Sequence, residues 1–318
     1  MYYAKLVFGA MALSLLVGCA GPQKENEPDP IGSIPTPTGP TTTVMPLAAY
    51  VPGDKALRVI RKAEGLLLNA CTAEYGLKTD VDAPSYEAKL DDVRKGTKLP
   101  LTREHVQRYG YHPAQSPARA RSDEREEESA AETADKSAKM LVVNGPVTSG
   151  TTPLSPSLAT KDVKVNGKPV PEGGCLRLAE EKLADGAPDL NAVGAHGRSA
   201  FNVILALRYQ ASRQSAEHSA YTRMVTRWSA CMKRAGFSYP DFASAMGDPE
   251  WGRSRRATDR EIAVATADVR CRLDVNYLGV TEALQIAYEK NAVKDNAELL
   301  QAVKKYYQVM LRNAKKRI

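Results

Sequence analysis

The residues with the most chemistry to offer are five cysteines and one short aromatic run. Cys19 stands apart near the amino terminus, and Cys71, Cys175, Cys231 and Cys271 are spread over the rest of the chain. No two of them are at Cys-x2-Cys spacing, so a zinc site is the weaker reading and no metal is expected. The four later cysteines are an even number, which in an oxidising compartment predicts two disulfides. Three pairings are open. The series Leu68-Asn-Ala-Cys71-x4-Gly76-Leu77 parallels Trp228-Ser-Ala-Cys231-x4-Gly236-Phe237, as an internal duplication would. A duplication favours pairing each of these cysteines with the next along the chain, Cys71 with Cys175 and Cys231 with Cys271. Closing such loops would contribute on the order of 4 kcal/mol each in the chain-entropy model.

The aromatic run is Tyr109-Gly-Tyr111-His112. Tyr109, Tyr111 and His112 form a candidate recognition patch, because rings stack on sugar faces and imidazole bonds hydroxyls or carboxylates. The plainer reading is a loop that packs its rings against neighbouring helices and satisfies its hydroxyls there. Beyond this run the common catalytic patterns are missing. His105, His112, His196 and His218 lack metal-ligand spacing, and there is no Ser-x-x-Lys, Gly-x-Ser-x-Gly or phosphate-cradling loop. Gly194-Ala-His196-Gly197-Arg-Ser199 reads as a turn in which Ser199 caps the next helix. No catalytic residue and no cofactor are therefore assigned.

The elements that must position these residues begin with an address. Residues 1–18 have a short charged start, an apolar run from Leu6 to Val17 and then Leu16-Val17-Gly18-Cys19, the layout of a secretory signal. The last four residues resemble a bacterial lipobox, which implies cleavage before Cys19 and acylation of it. The apolar run is short for a bilayer of about 30 Å. Residues 19–53 are rich in Pro and Thr and read as a lipidated, disordered tether. Residues 54–318 read as a helical extracytoplasmic domain. Its first helix is predicted over Asp54 to Tyr75, with Leu57, Ile60, Leu67 and Cys71 on one face, flanked by Val59, Ala63 and Ala70, and with Gly76 as its cap.

Thr102 is expected to cap a short helix before Tyr109. Residues 114–140 are charged and lack an apolar stripe, which predicts a mobile insertion, with short strands and turns from Val142 to Pro171. Within 160–172, Asn166-Gly167 predicts a tight hairpin. Cys175 then heads a helix with Leu178, Ala179 and Leu183 inward, and further helices carry Phe201 to Leu207 and Tyr221 to Cys231. Thr258-Asp-Arg-Glu261 has the form of a capping box and predicts one helix to Asn291, roughly 50 Å long. Asp295 with Glu298 predicts the start of the last helix. The fold class expected is mainly α, a disulfide-stapled helical domain with a small β-hairpin.

Taken together, Cys71-x3-Tyr75-Gly76-Leu77, Arg108-Tyr-Gly-Tyr-His112, Gly173-Gly174-Cys175, Trp228-x2-Cys231-Met232-x3-Gly236 and Ala267-Asp268-x2-Cys271 resemble a family of uncharacterised actinobacterial secreted lipoproteins. The likeness runs from about Ala56 to Lys290. It implies a mainly helical envelope protein, supports the favoured cysteine pairing and carries no catalytic residue with it.

The formal net charge of +7, with basic clusters at Arg253-Ser-Arg255-Arg256 and Lys315-Lys316-Arg317, fits either ordinary solubility or an anionic envelope polymer. Nucleic acid is not an expected partner outside the cell. The expectation is a lipoprotein held on the extracytoplasmic face of the cell membrane through Cys19, a non-catalytic binding protein of an envelope polymer or a membrane transport complex. An envelope hydrolase or modifying enzyme working around Tyr109 to His112 is the alternative.

Overall fold

The computed structural model describes residues 31, 34–37, 43–78, 101–114, 130–146 and 163–318, without the side chains of 130–134. The signal segment and Cys19 lie outside the described residues. Ten α-helices and one two-stranded hairpin make up the described fold: α1 Asp54–Glu74, α2 Arg103–Tyr109, α3 Ala130–Asn144, β1 Lys164–Val165, β2 Lys168–Pro169, α4 Gly174–Leu183, α5 Ala200–Glu217, α6 Ser219–Arg234, α7 Phe242–Met246, α8 Asp259–Asp274, α9 Tyr277–Asp295 and α10 Ala297–Lys315. The expected mainly helical class is therefore what the chain adopts.

Two regions of core are fastened by the two disulfides. In the first, α1 packs on α4 and α10, and Cys71 is joined to Cys175. Leu68, Tyr75, Leu77, Val142, Val165, Val170 and Cys175 are buried together there. The hairpin is antiparallel, with Val165 opposite Lys168, and it closes over the end of α1. The Tyr75 hydroxyl donates to the Pro169 carbonyl at 2.8 Å, and Asn166 Nδ2 donates to the Tyr75 carbonyl at 2.6 Å. In the second region α6, α7, α8 and α9 surround Trp228, Met232, Phe242 and Trp251, and Cys231 is joined to Cys271. The pairing favoured by the sequence is the one present.

Local chemistry explains most helix ends. Thr102, Ser199, Asp241 and Thr258 each accept a backbone N–H with the side chain at the start of α2, α5, α7 and α8. His218 ends α5 in an extended conformation and its Nδ1 accepts the Ala220 N–H, which starts α6.

Five expectations need correction. Residues 43–53, read as disordered tether, are folded: Met45 and Leu47 are fully buried, and the Leu47 N–H donates to Glu289 Oε2 at 3.1 Å. The end of the charged insertion and the two valines after it are helical in α3, because Ala138, Leu141 and Val142 supply the apolar contact with α4 that the charged part lacks. On α1 Leu57, Ile60 and Ala63 are buried as expected, but Leu68 is fully buried as well, while Ala70 is exposed and Leu67 and Cys71 are half-buried. The single long helix expected from Thr258 to Asn291 is two. Asn276 takes the left-handed conformation (φ 58°, ψ 44°), which asparagine tolerates better than most residues, and its side chain caps α9. Finally, α10 starts after Asn296 without a side-chain cap, and Asp295 is the last residue of α9.

Candidate functional site

Two helices and the turn after α2 bring their side chains to one buried carboxylate. Asp268 on α8 is 1% exposed and accepts the Trp228 indole N–H at 2.9 Å, Arg272 Nε at 2.7 Å, Arg272 Nη2 at 3.1 Å and the Tyr111 hydroxyl at 3.2 Å. Asp268 and Arg272 are one turn apart on the helix, so the pair forms without long-range rearrangement. The neutralised guanidinium then lies over the Phe242 ring at 4.1 Å and near the Tyr277 ring at 5.0 Å. Phe242 in turn packs on Trp228, with ring centroids 4.6 Å apart. The hub thus fixes the back wall of whatever lies beyond Phe242 and Tyr277.

What lies beyond is an open cleft of about 580 Å³ between the start of α6, α7 and the junction of α8 with α9. Tyr221, Val225, Phe242, Met246, Arg272 and Tyr277 line it. Its rings are set nearly at right angles, Tyr221 to Phe242 at 73° and Phe242 to Tyr277 at 83°. Burial pushes the Tyr221 and Tyr277 hydroxyls above the usual phenol range, so both stay protonated donors. Asp241 stands at the cleft with its carboxyl held low, because it accepts the backbone and side-chain hydrogen bonds of Ser244. Apolar walls with a few fixed polar groups are what a ligand or partner side chain requires.

The residues singled out in the aromatic run are placed elsewhere. Tyr111 is turned inward: its hydroxyl meets Asp268, its N–H donates to Glu261 Oε1 at 2.8 Å and its ring lies 5.9 Å from Trp251. His112 spends both ring nitrogens, Nδ1 on Glu261 Oε1 at 2.8 Å and Nε2 on the Ser254 carbonyl at 2.9 Å. These bonds, chiefly the one to Glu261, raise its pKa above the ordinary value. Tyr109 faces His105 and Arg108 on the other side of the turn. The run is packed as the plainer reading had it, and the three residues do not form one open surface. Cys19 lies outside the described residues, and His196 sits in the exposed turn before the Ser199 cap.

The cleft was not found from the sequence. Its one legible trace is Ala267-Asp268-x2-Cys271-Arg272, a carboxylate and a guanidinium four apart inside a stretch otherwise patterned as core. Phe242 and Tyr277 carry no local signal, since both follow helix caps and are brought together only by tertiary packing. Among the described residues no group of three or more His, Cys, Asp or Glu side chains is arranged to hold a metal ion. No helix among the described residues is long and apolar enough to cross a membrane, and the two disulfides point to an extracytoplasmic, oxidising compartment. Comparison with protein-family models, with curated proteins and with solved structures finds no match for the chain.

Proposed function

We propose that this protein is a lipid-anchored, extracytoplasmic binding protein of the cell envelope, held by Cys19 and presenting the aromatic cleft to an envelope component. The observation that carries the reading is the state of the charges at the cleft. Arg272 is tied by two hydrogen bonds to Asp268, and Asp241 is tied to the start of α7. Groups already committed in this way orient a ligand; they are not poised to move a proton. The alternative enzyme around His112 would need a ring nitrogen for substrate, and both are engaged by Glu261 and Ser254.

The resemblance to secreted lipoproteins, the lipobox and the paired cysteines all support the membrane-anchored extracytoplasmic part of the proposal. Exposed Arg253, Arg255 and Arg256 and the net charge of +7 favour an anionic envelope polymer over a neutral one, with a membrane transport complex as the other partner class. Two measurements test the proposal. The intact mass of protein extracted from membranes is expected to start at Cys19 and to carry acyl chains, which Cys19→Ala loses. Retention of the extracted protein on isolated envelope is expected to fall at least about tenfold in Tyr277→Ala, a loss of about 1.4 kcal/mol. Unlipidated protein, or retention indifferent to Tyr277→Ala, contradicts the corresponding half.

A further inference from the structure

The stretch after the lipobox has the composition of a disordered tether up to Gly53, yet the residues described within it are held to the domain at several points. Ile31 and Ile34 pack against the core around Trp228 and Trp251. Asn276 Nδ2 donates to the Pro35 carbonyl at 2.9 Å. Met45 and Leu47 are fully buried, and the Leu47 N–H ends on Glu289, a carboxylate with no exposed surface that also takes Arg208 Nη1 and Gln285 Nε2.

Gly279 shows that the body of the domain is shaped for this strap. It lies within α9, where alanine would be intrinsically better by about 1 kcal/mol. A Cβ built on it would fall on the Pro35 carbonyl and would crowd the Asn276 amide that bonds the same carbonyl. A helix gives up a better residue here and gains room for a crossing backbone.

We infer that the described parts of the strap, residues 31, 34–37 and 43–53, belong to the folded domain, so that only the chain between Cys19 and Ile31 separates the anchor from it, and the face at the α8–α9 junction is the membrane-proximal one. This rests on the reading of Cys19 as the anchor. Eleven residues, or twelve residue steps, separate Cys19 from Ile31. Fully extended they span about 40 Å, against roughly 120 Å for a leash running to Gly53. Tyr277, at the edge of the cleft, directly follows the Asn276 that holds the strap. The cleft therefore works close to the bilayer.

Gly279→Ala releases the strap while favouring the helix. Asn276→Asp is the second variant, since it keeps the oxygen that caps Gly279 but puts an oxygen in place of the amide facing Pro35. Membrane-extracted full-length protein in detergent is treated with thermolysin, which cuts before large apolar residues. Cleavage before Ile31 and Ile34 is expected to be at least about tenfold faster in both variants than in the wild type, with the domain itself intact. Equal rates in all three overturn the strap. The same proteins in phosphatidylcholine vesicles carrying a dansyl headgroup are then compared by energy transfer from the two tryptophans. Transfer is expected to be strongest in the wild type and to fall in both variants; unchanged transfer overturns the membrane-proximal face. A protein whose intact mass carries no acyl chain refutes the anchor instead, and the proteolysis still decides the strap.

Discussion

Asp268 and Glu261 lie two turns apart on α8 and show how much depends on single buried carboxylates. Asp268 is the shared acceptor of Trp228, Arg272 and Tyr111, and Arg272 is only 2% exposed. Asp268→Asn would leave a buried guanidinium without its counter-charge, which is expected to cost about 3 to 5 kcal/mol. A urea melt checks this, and a loss under 1 kcal/mol would contradict the hub. Glu64 on α1 gives a second test. Burial first, and then the nearby Glu180, raise its pKa to about 7. A carboxyl raised in the folded state contributes stability that is full below the unfolded pKa and is lost as pH rises through the folded value. Stability is therefore expected to fall between pH 4.5 and about 8, by about 2 to 3 kcal/mol from this group. Glu64→Gln should flatten that fall, as thermal melts across the range would show. Glu261 marks the limit of sequence reading at this scale. Thr258-x-x-Glu261 correctly located the cap, in which the Thr258 hydroxyl accepts the Glu261 N–H, but the carboxylate was assigned to the helix end. It is used by Tyr111 and His112, about 150 positions away, and no local pattern encodes that.

Among elements, helices with their own caps and apolar stripes were legible, and those decided by distant contacts were not. Asn166-Gly167, Thr102, Ser199 and Gly236 all act where the sequence places them. The break at Asn276 was hidden, because Leu273, Val275, Leu278 and Val280 continue a helical pattern through it. The cleft was hidden with it, since its wall is made at that break. α2 is a further element held by tertiary contacts, docked on α8 by Val106, buried against Ala265 and Val269, and by the loop that follows the helix. Both ring nitrogens of His112 face acceptors, Glu261 Oε1 and the Ser254 carbonyl, so only the imidazolium satisfies both. Its pKa is raised mainly by the bond to Glu261. The docking contribution is thus full below the ordinary histidine value of about 6.5 and is lost as pH rises through the folded value. Amide exchange of Val106 and Gly110, corrected for the intrinsic effect of pH, is expected to show more opening of α2 as pH rises past that value. His112→Gln should remove this pH dependence; an equally steep dependence in the variant would contradict the latch.

Across the molecule the two staples are alike on one side and unlike on the other. Gly76 and Gly236 both have positive φ, and the following N–H reaches back five residues in each case, Leu77 to Thr72 and Phe237 to Met232. The helix end carrying the first cysteine is therefore repeated. The partners differ, because Cys175 is at the start of α4 and Cys271 is near the end of α8. The likeness seen in the sequence extends to the capped helix and stops there. The loops closed are 104 and 40 residues, and in the chain-entropy model they contribute about 5 and about 4 kcal/mol. Domains have about 5 to 15 kcal/mol in total. Losing both staples removes a sum of that same size, so the reduced chain is expected to lose its fixed packing at 37 °C. Loss of near-ultraviolet circular dichroism with a thiol reductant would show it, through Trp228 and Trp251 in the core beside Cys231. The logarithmic dependence on loop length also sets the order of the single losses. Replacing Cys71 and Cys175 by serine is expected to lower the melting temperature only a little more than replacing Cys231 and Cys271. A reduced protein that melts where the oxidised one does would mean that packing alone holds the fold, and the case for an oxidising compartment would lose its physical basis.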